Sequence, residues 1–99
     1  MRLLIIEDER ALAEALATGL RADGFAVDVA HDGNEGLEQA LAVPYAAIVL
    51  DIMLPGLSGY DVLRRLREAQ QWAPVLMLTA KDGEFDEADA LDLGADDYV

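Results

Sequence analysis

Four positions stand where chemistry could be assembled. Glu7 and Asp8 follow the apolar run Leu3-Leu4-Ile5-Ile6, Asp51 follows Ala46-Ala47-Ile48-Val49-Leu50, and Thr79 follows Val75-Leu76-Met77-Leu78. Short apolar runs of this kind read as strands buried on both faces of a parallel sheet. In an open parallel sheet the functional crevice lies beyond the carboxyl ends of the strands. If the first and third strands are neighbours, the carboxylates of Glu7, Asp8 and Asp51 meet in one pocket. No arginine or lysine is adjacent to any of them in sequence.

A magnitude decides what such a pocket must hold. Two like charges about 5 Å apart at an effective dielectric near 20 repel by roughly 3 kcal/mol. Three mutual pairs approach about 10 kcal/mol, comparable to the whole stability of a small domain. Either one carboxyl takes up a proton or a cation enters. Few, all-oxygen ligands suit Mg²⁺, or Mn²⁺ in its place, and such a cation often shares a phosphate. A carboxylate beside it can act as a nucleophile and form an aspartyl phosphate. Each residue taken singly has a plainer reading: an Asp as a turn residue or helix cap, Glu7 as a solvated acid, Thr79 as a strand end. Their joint placement at successive strand ends sets them apart.

The elements that must position these residues alternate along the chain. After the first strand, Leu12, Leu16 and Leu20 mark one helical face. Gly19 inside that helix costs roughly 1 kcal/mol against Ala. Asp23-Gly24 breaks the pattern, and Phe25, Val27 and Val29 then alternate with less apolar residues, which suits a strand at a sheet edge. Asp32-Gly33-Asn34 is a turn with capping residues before a short helix carrying Leu37, Ala40 and Leu41, which Pro44 ends. The strand ending at Asp51 leads through a tight turn at Pro55-Gly56 to Ser58, which can cap a third helix carrying Val62, Leu63 and Leu66. Beyond the strand ending at Thr79, Asp82 can cap a fourth helix, Gly94 can close it, and Tyr98-Val99 starts a fifth strand. Alternating strands and helices imply right-handed βαβ units and a parallel sheet.

Composition bounds the function. A chain of 99 residues suits one domain. With 54% hydrophobic and 27% charged residues it can bury a core and is not a disordered chain. It has no cysteine, so a disulfide scaffold and a thiolate metal site are excluded. No apolar run approaches the roughly 20 residues a bilayer span needs. The net charge of −13 repels nucleic acid and anionic membranes. Arg64, Arg65 and Arg67 read as a solvated helix face, Tyr45 and Trp72 as packing and rim residues, and His31 as a lone turn residue without a catalytic role.

Several stretches together carry a resemblance. They are Ile5-Ile6-Glu7-Asp8-Glu9, Val49 through Gly56, Ser58-Gly59-Tyr60, Leu78-Thr79-Ala80-Lys81 and Gly94 through Val99. This set resembles the receiver domain of bacterial two-component response regulators, nearest to the transcription factors with a winged-helix DNA-binding output. The resemblance implies a flavodoxin-like α/β fold, a doubly wound parallel sheet of strand order 2-1-3-4-5. Residues 1–99 would form one receiver domain that breaks off after the start of the fifth strand. Asp51 would accept a phosphoryl group from a histidine of a sensor kinase. Asp8, Asp51 and the backbone carbonyl of Met53 would bind Mg²⁺, with Glu7 supporting it through water. Thr79 would hydrogen-bond the phosphoryl oxygen, Ala80 would leave it accessible, and Tyr98 would turn inward as a switch. Such a receiver assists its own phosphotransfer and dephosphorylation and is not an enzyme with a turned-over substrate. A cytoplasmic setting goes with that partner.

The chain also departs from the family. The family's lysine after the fifth strand falls beyond Val99, and Lys81 does not occupy its position. The sequence therefore reads as a piece of a longer protein. Family members pair through the fourth helix, fifth strand and fifth helix, so a dimer through that face is expected to be weak here. Two other functions stay in view. An Asp-based metal phosphatase wants a second acid two residues on, where this chain has Met53. A receiver-like interaction module would bind the cation without taking phosphate.

Overall fold

The computed structural model describes residues 1–78 together with the backbone of residues 97 and 98. The elements in order are β1 (Arg2–Ile6), α1 (Arg10–Ala22), β2 (Ala26–Ala30), α2 (Gly33–Ala42), β3 (Ala47–Asp51), α3 (Gly59–Glu68), β4 (Val75–Leu78) and β5 (Asp97–Tyr98). All neighbouring pairs are parallel, and the sheet order is β2-β1-β3-β4-β5. This is the doubly wound, flavodoxin-like order the resemblance implies, with β2 at an edge. The fourth helix, with its Asp82 cap and Gly94 stop, lies outside the described residues.

β1 is buried on both faces, whereas β3 is fully buried toward α2 and α3 and half-buried at Ala47 and Val49 on the other face. Leu4, Ile6, Ile48, Leu50, Val75 and Met77 face α2 and α3 and pack on Ala40, Val62, Leu63 and Leu66. Leu3, Ile5 and Val27 face α1. On α1 the fully buried line is Ala13 and Ala17, while Leu12, Leu16 and Leu20 are half-buried beside it. The small alanines let the helix lie close to the strands, and the leucines fill its flank. On α2, Leu37 is half-buried, but Leu41 is 50% exposed and does not belong to the core face.

Caps match the sequence. The Asp32 side chain accepts from the Glu35 amide at 2.8 Å, and Ser58 Oγ accepts from the Asp61 amide at 3.2 Å. Both satisfy otherwise orphaned first-turn donors. Asp61, held below the ordinary carboxylate range by Ser58 and then Arg64, adds a negative charge at the positive end of α3.

The arginines of α3 correct the expectation of a uniformly solvated face. Arg64 pairs with Asp61 at 2.7 Å on the surface. Arg67 instead donates to the carbonyls of Gln71 and Ala73, at 2.8 and 3.0 Å, and so ties down the segment entering β4. Its guanidinium also lies 5.9 Å from the centroid of the Trp72 ring. Trp72 itself is 68% exposed, so of the packing and rim roles expected for the two aromatics it takes the rim one. Tyr45 is buried, as expected.

Candidate phosphoacceptor and metal site

The register of β1 against β3 assembles the site. Ile6 pairs with Leu50, which sets the next residues, Glu7 and Asp51, side by side at the carboxyl edge of the sheet. Glu7 is held there by its amide, which donates to the Ala30 carbonyl at 2.9 Å and extends the ladder to β2. Asp8 follows in the turn before α1. Glu7, Asp8 and Asp51 each offer a carboxylate oxygen, and these oxygens all lie within 4.8 Å of one another. Glu7 and Asp51 are buried, at 1% and 0% exposure, and Asp8 is half-buried.

Burial sets the electrostatics. It pushes the Glu7 carboxyl up to about 7, and Asp8 and Asp51 add to the rise. The Glu9 amide opposes this by donating to Glu7 Oε2 at 2.9 Å. Taking like charges out of water disfavours ionisation, and the nearest relief is a proton or a cation.

The donor set fits a hard divalent cation. Every donor is a carboxylate oxygen, which suits Mg²⁺ or Mn²⁺ and not a thiolate-seeking metal. Glu7, Asp8 and Asp51 would together offer such a cation one carboxylate oxygen each, close enough to one another to share it. The cluster's mixed burial leaves one side toward Asp8 more open than the other.

The segment from Asp51 to α3 is held closely at its far end. The Gly59 amide donates to the Ile52 carbonyl at 2.7 Å. A Cβ on Gly59 would collide with the Asp51 carbonyl oxygen and come within 2.8 Å of Ile52 Cα. Only a glycine lets α3 begin this near the Asp51 backbone. Met53 lies in this segment and is 39% exposed.

Of the residues singled out from the sequence, Glu7, Asp8 and Asp51 come together as expected. Thr79 and Ala80 lie outside the described residues. The backbone of Tyr98 forms β5 beside Met77, and its side chain lies outside the description. His31, read from the sequence as a lone turn residue, is hydrogen-bonded to the strand end that carries Glu7. His31 Nδ1 lies 3.0 Å from the Glu7 carbonyl oxygen. A carbonyl only accepts, so Nδ1 carries the proton of this bond. His31 directly follows Ala30, the β2 partner of Ile6. That register was the available signal.

Comparison with known proteins agrees with this geometry. Residues 3–99 match the family described as the response regulator receiver domain. The transcriptional regulatory protein DltR of Streptococcus agalactiae is 50% identical over 99 residues, which cover 100% of this chain and 44% of that protein. The chain therefore spans less than half the length of that relative. The receiver domain of Francisella response regulator 1452 superposes with a TM-score of 0.92 at 33% identity, covering 99% of this chain and 81% of that one. The response regulator TrrA of Thermotoga maritima, solved with Mg²⁺ and BeF, gives a TM-score of 0.88 at 32% identity, covering 99% and 84%.

Proposed function

The chain belongs to the response regulator receiver domain family, and from that premise we propose that Asp51 accepts a phosphoryl group from a phosphohistidine of a sensor kinase. The observation that carries this is the burial of Asp51 at the carboxyl end of β3 inside the carboxylate cluster. In the transfer an Asp51 carboxylate oxygen attacks phosphorus, the phosphorus–nitrogen bond breaks, and the electron pair leaves with the imidazole nitrogen. An acyl phosphate remains on Asp51.

Asp8 and Asp51, with the Met53 carbonyl, would hold the Mg²⁺ or Mn²⁺, and Glu7 would act through a water. The cation would neutralise charge on the phosphoryl oxygens. The chain's own contribution is positioning: Asp51 is fixed by the β3 ladder, by Gly59 and by the packed core beneath it. In the same reading Thr79 hydrogen-bonds the phosphoryl oxygen, Ala80 leaves room for it, and Tyr98 turns inward as the switch. Water attack on the acyl phosphate would reset the site.

DltR is named as a transcriptional regulatory protein, which supports an output through a DNA-binding domain elsewhere in the full protein. This chain, at −13, is not that DNA-binding surface. Among the described residues no helix is long and apolar enough to cross a membrane. The kinase partner points to a cytoplasmic location.

The test is intact mass after incubation with a small phosphoryl donor, with and without Mg²⁺, beside Asp51→Asn. Gain of one phosphoryl group that needs Mg²⁺ and is lost in the variant is the expected result. Mg²⁺ binding with no mass gain in this chain, or in one extended through the family's lysine, would favour the interaction module instead.

A further inference from the structure

The loop that leaves Asp51 is held at a second place, by an element with no part in the carboxylate cluster. The Gly33 amide, the first of α2, donates to the Pro55 carbonyl at 3.2 Å. A Cβ on Gly33 would collide with the Leu57 carbonyl oxygen and stand 2.8 Å from both Leu57 C and Leu57 Cβ. Two of those three atoms are backbone, so no rotamer change could make room. One residue on, the Asn34 amide nitrogen Nδ2 lies 2.7 Å from where a Cβ on Gly56 would be. Gly56 sits at φ +79°, in the left-handed region that favours glycine, with the end of the Asn34 side chain beside it. The first turn of α2 is thus packed on three successive loop residues, Pro55 to Leu57.

We propose that the first turn of α2, through Gly33 and Asn34, is a positioning device for the cation site. It braces the loop 52–58 and with it the Met53 carbonyl relative to Asp51. This rests on the receiver reading of Asp51. Gly59 pins the loop at its α3 end and the β3 ladder pins it at Asp51. Between them a loop of several residues would otherwise sample many conformers, and ordering each costs roughly 1–2 kcal/mol of backbone entropy. A donor held in place by the fold does not incur that cost when the ion binds. α2 is itself anchored at its start by the Asp32 cap and at Gly36, which packs on Ile6 of β1, the strand that leads into Glu7. One helix therefore registers the loop against the strand carrying the other carboxylates.

The test is Mg²⁺ affinity by calorimetry, with amide hydrogen exchange of residues 52–58, on the wild type, Gly33→Ala and Asn34→Ala. Tyr45→Phe, at the opposite end of β3, serves as a destabilised control that leaves the brace intact. Supporting residues around metal sites cost about 10–100-fold in affinity when altered. Gly33→Ala should weaken Mg²⁺ binding about tenfold, and Asn34→Ala by a smaller factor, with faster exchange in 52–58 and little effect in Tyr45→Phe. If Gly33→Ala does not fold, Asn34→Ala alone decides. Folded variants with wild-type Mg²⁺ affinity would overturn the brace. A wild type whose Mg²⁺ binding is absent, or indifferent to Asp8→Asn, would instead overturn the site reading on which it rests.

Discussion

The Tyr45 hydroxyl donates to Asp28 Oδ2 at 2.7 Å, joining the segment before β3 to the edge strand β2. Arg2 of β1 reaches the other oxygen of Asp28, also at 2.7 Å. Three strands are thus latched at the end of the sheet away from the carboxylate cluster. The Tyr45 hydroxyl, and after it Arg2, hold Asp28 below its ordinary 3.8, while burial and then Asp28 push Tyr45 up to about 12 from 10.0. The depressed Asp28 contributes stability that is present above 3.8 and is lost as pH falls through its lower folded value. The raised Tyr45 contributes stability that is present below 10 and is lost as pH rises through 12. Tyr45→Phe keeps the ring and removes the bond. It should cost about 1–2 kcal/mol at neutral pH and abolish the part of the alkaline decline between 10 and 12. Urea denaturation across pH reads both.

Glu7 gives a second dependence, opposite in sign to that of an ordinary paired acid. Its folded value of about 7 lies above the ordinary 4.5. Its contribution is therefore fully present below 4.5 and is lost as pH rises through 7. Without divalent cation the chain should lose stability over that interval. With saturating Mg²⁺ the loss should disappear, because a bound cation stabilises the ionised cluster and binds only the folded state. Thermal melting at pH 5 and pH 8, each with Mg²⁺ and with a chelator, measures it. A metal-free melting temperature that rises between those pH values would contradict the expected sign.

Removing one charge from the cluster should separate stability from function. Asp51→Asn keeps the shape of the buried side chain and removes its repulsion with Glu7 and Asp8. At pH 8 and without metal it should raise stability by about 1–3 kcal/mol, on the scale of one like-charge pair at an effective dielectric near 20. It should also abolish phosphoryl gain and weaken Mg²⁺ binding. A variant less stable than the wild type under those conditions would mean that the carboxylates do not repel as their spacing implies.

The residues that could be read from sequence were those with a period or a place in a run. β1, β3 and β4 announced themselves as apolar runs, and Ser58 and Asp32 as caps, because local chemistry decides them. The three carboxylates were legible because a parallel sheet brings its strand ends together. The buried alanines of α1 were less so, since leucine outweighs alanine in any apolar pattern although alanine permits the closest approach. The hold of Arg67 on the Ala73 carbonyl, the His31 contact with Glu7 and the packing of Gly33 on Leu57 carried no periodic signal. Each is a contact between separate segments, fixed only once the helices dock.

Arg67 offers the clearest of these for measurement. Its two bonds to the Gln71 and Ala73 carbonyls stabilise the turn that starts β4, and the Gln71 side chain adds a bond to the Ala73 amide at 2.9 Å. Hydrogen bonds from a charged donor are worth about 1.5–3 kcal/mol each before the aliphatic stem is counted. Arg67→Ala should therefore cost about 2 kcal/mol or more, whereas Arg65→Ala, on the exposed face, should change stability by less than about 0.5 kcal/mol. Because Trp72 lies against the Arg67 guanidinium, its fluorescence should shift in the first variant and not in the second. Equal stabilities for the two would remove Arg67 from the support of β4.

Two helical glycines should respond to the same substitution with opposite signs. A Cβ on Gly19 of α1 meets nothing within 4 Å, and the position is exposed. Gly19→Ala adds no clash and narrows the unfolded ensemble, so it should stabilise the fold by about 0.5–1 kcal/mol. A Cβ on Gly36 of α2 would stand 2.6 to 2.8 Å from three side-chain carbons of Ile6, which is fully buried. Ile6 is stiff at Cβ and enclosed by the core, so α2 must lift off the sheet or the strand must shift. Overpacking of this kind costs about 1–3 kcal/mol, more than the gain in helix propensity. The displacement would reach Ile6 directly before Glu7, so Gly36→Ala should lower Mg²⁺ affinity as well as the urea midpoint, while Gly19→Ala raises the midpoint and leaves Mg²⁺ affinity unchanged. A stabilised Gly36→Ala would show that α2 does not rest on Ile6 as tightly as the backbone spacing requires.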